Sequence, residues 1–179
     1  FDPPYRNLIG SAREGKAIVI NLTVGRDIKQ LSLPGLPHLG SGISWNWNGR
    51  PVMATPHLKE SKISVLDMQD WSLVKVIETP GPGFFMRSHE NSRYAWVDSM
   101  MSPTAKDTLT IIDKRTLEVV AQVREPGRTL AHIEFTKDGR YALASLWEND
   151  GALIVYDAAT FKEVKRLPMS KPVGKYNVW

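Results

Sequence analysis

Four histidines, His38, His57, His89 and His132, and one tyrosine, Tyr176, are the side chains through which this chain could do chemistry. Imidazole titrates at about pH 6.5, so it exchanges protons under neutral conditions, and its neutral nitrogen suits a transition metal. His38 follows Pro34 by four residues, His132 follows Pro126 by six, Tyr176 follows Pro172 by four, and His57 stands in Thr55-Pro56-His57-Leu58. Such distances rule out a compact H-E-x-x-H zinc helix, and no carboxylates accompany the histidines as zinc partners often do. Cysteine is absent, which removes disulfides, thiolate metal sites and a C-x-x-C-H haem attachment from this stretch. There is no G-x-S-x-G elbow for a serine nucleophile. Gly40-Ser41-Gly42 opens no helix and is a weak phosphate-loop signal. A small metal ion could not be reached by all of these groups, whereas a large flat ligand could.

Other residues fit a planar, acidic ligand. Arg13, Arg87 and Arg128 are candidates for holding carboxylates. Trp45, Trp47, Met53, Met100, Met101 and Trp147 are expected to crowd the same region and could wall a flat cofactor, although packing between sheets is the plainer role for the two tryptophans at 45 and 47. Each group also has an ordinary explanation. His38 could cap a loop, His57 could be a solvated turn residue, His132 could be a satisfied core imidazole, and Tyr176 could pack at a junction.

The elements that must position them follow from a repeat. Pro34-Gly35, Pro80-Gly81, Pro126-Gly127 and Pro172-Val173-Gly174 recur with each proline 46 residues after the last. An apolar run closed by an amide or acid keeps step, ending at Asn21, Asp67, Asp113 and Asp157. A polar turn closed by arginine lies between, at Asn48-Gly49-Arg50, Asn91-Ser92-Arg93 and Asp138-Gly139-Arg140. Three markers in fixed order signify one unit copied several times. Within a copy, β-branched and aromatic runs alternate with Gly, Pro, Asn and Asp turns, which predicts four short strands, here termed a to d. In the third copy these are 84–88, 94–97, 108–112 and 118–123.

A four-stranded meander of this length is a β-propeller blade, and the constant composite signature argues against the rival β-sandwich. The first copy lacks an evident strand a, three copies are complete, and residues 175–179 are expected to begin a fifth strand a. Residues 1–179 are therefore expected to be a segment of a larger propeller that would fold poorly alone, because both ends leave sheet edges unpaired. The loop entering strand a and the loop joining b to c open on one face of a propeller. That rule places His38, His57, His132 and Tyr176 on a common rim and His89 near the other face.

The remaining composition narrows the partners. The net charge is +4 and the basic residues are scattered, which disfavours nucleic acid and leaves an acidic ligand as the reading of the excess. No signal peptide or membrane span is recognisable.

Leu36-Pro37-His38-Leu39-Gly40-Ser41-Gly42, Ala54-Thr55-Pro56-His57-Leu58, Phe85-Met86-Arg87-Ser88-His89 with Trp96-Val97-Asp98, and Lys171-Pro172-Val173-Gly174-Lys175-Tyr176-Asn177-Val178 occur in this order. Together they resemble the C-terminal half of the haem d1 propeller of the cytochrome cd1 nitrite reductase family. The resemblance implies an eight-bladed propeller with haem d1 at the channel mouth, preceded by a domain carrying a c-type haem, in the periplasm. It also implies a tetrapyrrole partner, an electron-transfer cytochrome and haem d1 delivery proteins. In the reductases two distal histidines give protons to nitrite, and by motif they match His38 and His57. Tyr176 replaces the Phe of the reductase motif and His132 has no reductase counterpart. Both features resemble the biosynthetic branch of the family, which dehydrogenates a propionate of dihydro-haem d1 to the acrylate of haem d1. On that resemblance His132 is the distal iron ligand, His38 the proton acceptor and Tyr176 an orienting hydrogen-bond group. A nitrite reductase, and a propeller that only binds haem d1, are the alternatives.

Overall fold

In the computed structural model, which describes residues 1–176, fifteen strands form four antiparallel sheets, each a simple meander. The first sheet has three strands, β1 (Asn7–Ser11), β2 (Lys16–Asn21) and β3 (Arg26–Ser32). The second has β4 (Ile43–Trp47), β5 (Arg50–Pro56), β6 (Lys62–Asp67) and β7 (Leu73–Glu78). The third has β8 (Met86–Ser88), β9 (Tyr94–Asp98), β10 (Thr108–Asp113) and β11 (Glu118–Arg124). The fourth has β12 (Leu130–Phe135), β13 (Tyr141–Leu146), β14 (Ala152–Asp157) and β15 (Glu163–Pro168). The inner strand β8 touches both β4 and β12, so the blades fan around a common axis as in a β-propeller. Of the expected fifth inner strand, residues 177–179 lie outside the described residues, and Lys175 and Tyr176 belong to no strand.

Side-chain alternation explains the stacking, because successive residues of a strand face opposite sides of its sheet. Ala95 and Val97 of β9 pack toward the second blade with Val52, Ala54, Ile63 and Val65. Trp96, between them, packs toward the fourth with Ile133, Phe135, Ala142 and Ile154. Met53 and Leu66 turn the other way, to Ile9, Ala17 and Val19 of the first blade. Every core thus lies between two blades. The last strands of the first, third and fourth blades carry mostly exposed residues, that of the second is half exposed, and β12, on the inside, is buried throughout.

The repeat signature has a structural cause at the end where strands c and d meet. The side-chain oxygen of the closing residue accepts backbone N–H groups of the following turn: Asn21 from Thr23, Asp67 from Gln69, Asp113 from Arg115, and Asp157 from Ala159 and Thr160. The turn arginine of the same blade closes on that carboxylate in the Arg50–Asp67 and Arg93–Asp113 ion pairs. Four residues after the cap the backbone turns left-handed, at Gly25, Trp71, Leu117 and Phe161. A bulge accompanies each turn. Four residues separate the paired strand ends, as between Asn21 and Arg26 or Asp113 and Glu118, and the last of them is the left-handed one; Trp71 and Leu117 offset the unfavourable φ by burying their side chains.

Candidate active site

On the opposite end, backbone hydrogen bonds lace the b–c loops to the loops that enter strand a. His38 N donates to Pro56 O, Gly83 N to His57 O, Met101 N to Pro82 O, Leu130 N to Lys106 O and Trp147 N to Thr129 O. The Pro80-Gly81 marker serves this closure, since a Cβ on Gly81 would collide with the Ser102 side chain of the b–c loop; at the neighbouring Gly83 a Cβ would lie 2.5 Å from the backbone oxygen of Asp98.

A row of rings runs along this end. His38 lies 4.0 Å, centroid to centroid, from Phe84, which lies 4.6 Å from Phe85. Phe85 stacks on His132 at 4.2 Å, and His132 meets Tyr176 edge-on at 5.3 Å. The loops entering the inner strands of the second and third blades, the inner strand β12 of the fourth, and the stretch that follows the fourth blade contribute to the row. Tyr176 is 72% exposed at its outer end. Trp147, Met101, Met169 and Val173 are also exposed in loops at this end, an apolar rim suited to a flat ligand.

The two imidazoles in the row are held in opposite tautomers. His38 Nδ1 lies 2.7 Å from the Phe84 carbonyl oxygen, to which it donates; its Nε2 therefore carries the lone pair. Ser41 Oγ supports the same corner. His132 Nδ1 instead accepts the N–H groups of Gly174 at 3.0 Å and Lys175 at 3.3 Å. Its proton therefore sits on Nε2, which is buried and without a hydrogen-bond partner. Burial, with Lys175 and Arg87 nearby, lowers the His132 pKa to about 4, so the ring is neutral at pH 7.

His132 also departs from the repeat. Its φ is +50°, and among the described non-glycine residues with positive φ it alone lies within a strand. It occupies a bulge in the β12–β13 pairing between Ala131 and Glu134, where the corresponding β4–β5 and β8–β9 ladders are regular. Bulges and strained backbone that break a pattern re-aim side chains at functional sites.

The structure does not bring His57 to the row. It is 0% exposed, its Nε2 pairs with Ser64 Oγ at 2.9 Å, and Pro34 O lies beside the ring without a well-formed hydrogen bond to Nδ1. Its pKa is lowered to about 4, first by burial and then by Lys62. The b–c loop folds under Pro37, with which His57 forms an isolated bridge, and this closes the imidazole inside. Trp45 and Trp47 likewise lie elsewhere: β4 runs away from the row, and their Nε1 atoms donate to Lys114 O and Arg115 O at the turn end. There they line a cleft of about 770 Å³ with His89, Asn91 and Arg93. Met53 is core. The arginines divide too. Arg13 stands exposed in the β1–β2 turn, Arg87 reaches Glu134 at 3.6 Å across the inner strands, and Arg128 pairs with Asp150 at 2.9 Å.

Four contributors carry no histidine-like signal in the sequence. Phe84 and Phe85 bridge the two imidazoles. Asp98, fully buried, accepts the N–H groups of Phe84, Phe85 and His132, and burial raises its pKa to about 6 against those bonds. Lys175 Nζ donates to Ser145 Oγ beside His132, and burial lowers its pKa to about 8 while Glu134 and Asp98 oppose the shift. Asp98 and Lys175 stand in quoted motifs, but their partners come from other blades and no spacing reveals them. Among the described residues no group of three or more His, Cys, Asp or Glu could hold a bare metal ion.

Fanned blades with imidazole and phenol rings along one edge define a ligand-binding propeller, and the chain belongs to the cytochrome D1 heme domain family, whose model matches residues 7–179. It is 53% identical over 180 residues to the dihydro-heme d1 dehydrogenase of Pseudomonas aeruginosa, covering 99% of this chain and 36% of that protein. It is 30% identical to protein NirF of Stutzerimonas stutzeri over 151 residues, 84% of this chain and 36% of that one. A solved structure, the dihydro-heme d1 dehydrogenase NirN in complex with DHE, superposes with a TM-score of 0.95 at 52% identity over 99% of this chain and 38% of that one. Hydrazine synthase of Kuenenia stuttgartiensis shares the fold alone, at a TM-score of 0.73 and 15% identity over 92% of this chain and 46% of that one. The chain thus spans little more than a third of the length of the curated relatives it matches.

Proposed function

We propose that this chain forms the ligand-facing part of an eight-bladed, periplasmic oxidoreductase that dehydrogenates a propionate side chain of dihydro-haem d1 to the acrylate of haem d1. The observation that carries the reading is the row His38–Phe84–Phe85–His132–Tyr176, which presents a free imidazole lone pair and a phenol on one apolar rim. The likeness to the dihydro-heme d1 dehydrogenase over nearly the whole chain supports it.

The substrate loses two protons and two electrons as a carbon–carbon double bond forms. His38 Nε2 is unencumbered by its backbone contact and takes one proton, with the positive charge shared toward the Phe84 carbonyl through Nδ1–H, and the second proton leaves to water at the exposed Tyr176 end of the rim. Tyr176 exposes its hydroxyl to orient the carboxylate, and Lys175 and Arg87 provide compensating positive charge. A c-type haem outside this chain would take up the electrons and a cytochrome partner would carry them away, and delivery proteins would bring or remove the tetrapyrrole.

The orphaned Nε2 of neutral His132 fits an iron ligand at this rim. Holding iron through Nε2 requires the ring proton to move to Nδ1, so the Gly174 and Lys175 amides must turn away on loading. The iron macrocycle supplies the electron path of the reaction when bound. Burial of His57 speaks against a reductase mechanism that uses His38 and His57 together on nitrite.

The test is turnover of dihydro-haem d1 by the purified protein. His132→Ala is expected to change the Soret band of the loaded protein, and Tyr176→Phe to slow turnover by about 10- to 100-fold with binding retained. Unchanged spectra and rates in both variants, or nitric oxide production from nitrite without dehydrogenation, overturn the reading.

A further inference from the structure

Five residues after the turn arginine, three blades place a polar side chain that is 0% exposed: Thr55, Asp98 and Ser145. In the second blade Thr55 Oγ1 donates to the adjacent Pro56 carbonyl at 3.2 Å. In the fourth, Ser145 Oγ meets Lys175. Only the third blade uses a carboxylate, and burying one is costly unless its lone pairs are filled. Asp98 Oδ1 accepts Phe84 N–H at 2.8 Å and Phe85 N–H at 3.2 Å, and Oδ2 accepts His132 N–H at 3.2 Å. Since a hydroxyl serves the same position in the neighbouring blades, blade formation itself does not demand the acid.

We infer that Asp98 is a positioning residue that sets both imidazoles of the ring row from one buried carboxylate. One branch holds the Phe84 amide, and the carbonyl of that residue holds His38 Nδ1. The other crosses the blade interface to the amide of His132, fixing the left-handed residue in its bulge. Phe85, which stacks on His132, is held by the first branch. A shift of either branch moves one ring relative to the other. What the row binds rests on the function proposed above; the positioning does not.

The experiment uses the purified protein with Asp98→Asn, which keeps the shape but points an amide N–H₂ at backbone donors, and Asp98→Ser, the residue type the fourth blade carries in this register. In the ligand-free protein, amide hydrogen exchange at Phe84, Phe85 and His132 should quicken by about tenfold or more, while amides of the c–d turns keep their rates. After loading with haem d1, both variants should show the spectral change of His132→Ala although His132 is present. Unchanged exchange at the three amides, or an even acceleration across all blades, overturns the inference. Local acceleration in a protein whose parent binds no haem d1 upholds the positioning role and removes the haem reading instead.

Discussion

At the turn end of the blades, an acid or amide caps each c–d turn, the fourth residue beyond it turns left-handed, and a bulge follows in all four blades. At the loop end the blades diverge. One imidazole is sealed inside, one donates to a carbonyl, and one sits in a bulge that no other blade shares. The contrast teaches where each kind of strain belongs. Strain that recurs with the period is an element of the blade, whereas strain that appears once, at His132, marks a place where the blade has been bent to another purpose.

The contrast can be broken at several points. The largest effect is expected from Trp96→Ala at the interface of the third and fourth blades, about 3–5 kcal/mol in chemical denaturation, because a fully buried indole leaves a cavity there. If the interface carried little energy the midpoint would barely move.

His57 gives a pH signature. Its folded pKa of about 4 lies below its ordinary value of 6.5, so the unfolded chain takes up the proton first as pH falls. Its contribution is fully present above about pH 6.5 and is lost as pH drops toward 4, about 2 kcal/mol after allowance for solvent screening. Melting temperature followed over this window should decline less steeply in His57→Gln. An identical slope would remove His57 as the cause.

Asp113→Ala should destabilise by about 1–2 kcal/mol through loss of the turn cap and leave the spectrum of the haem-loaded protein unchanged. A spectral change would tie the turn end to the site. His132→Gly sets two effects against each other: glycine accepts a φ of +50° without strain, but the variant loses a buried ring that stacks on Phe85 and accepts the Gly174 and Lys175 amides, so a net destabilisation of about 1–2 kcal/mol is expected. A variant as stable as the parent would show that relief of backbone strain offsets the whole contribution of the ring.

Much of the fold was legible before any coordinates. The proline period, the capped apolar runs and the turn arginines are local signals, and they located the blades and the shared face of the loops. The site was legible only in outline. Motif position put His38, His132 and Tyr176 on one rim, and the ring contacts join them. It put His57 there as well, but a one-residue bridge to Pro37 turns that loop inward. It also drew Trp45 and Trp47 toward the rim, although strand direction carries them to the other end.

By itself the sequence determined the period, the strands and their order, because hairpins and alternation are settled by neighbours along the chain. The tertiary structure decided which imidazole is sealed, which carries its proton on which nitrogen, and that one acid governs two rings. His57 is sealed by Ser64 and Pro37 within its own blade, whereas the tautomers and the shared acid depend on hydrogen bonds across 34 to 46 residues, from Asp98 to His132 and from His38 to Phe84, which exist only once the blades have stacked.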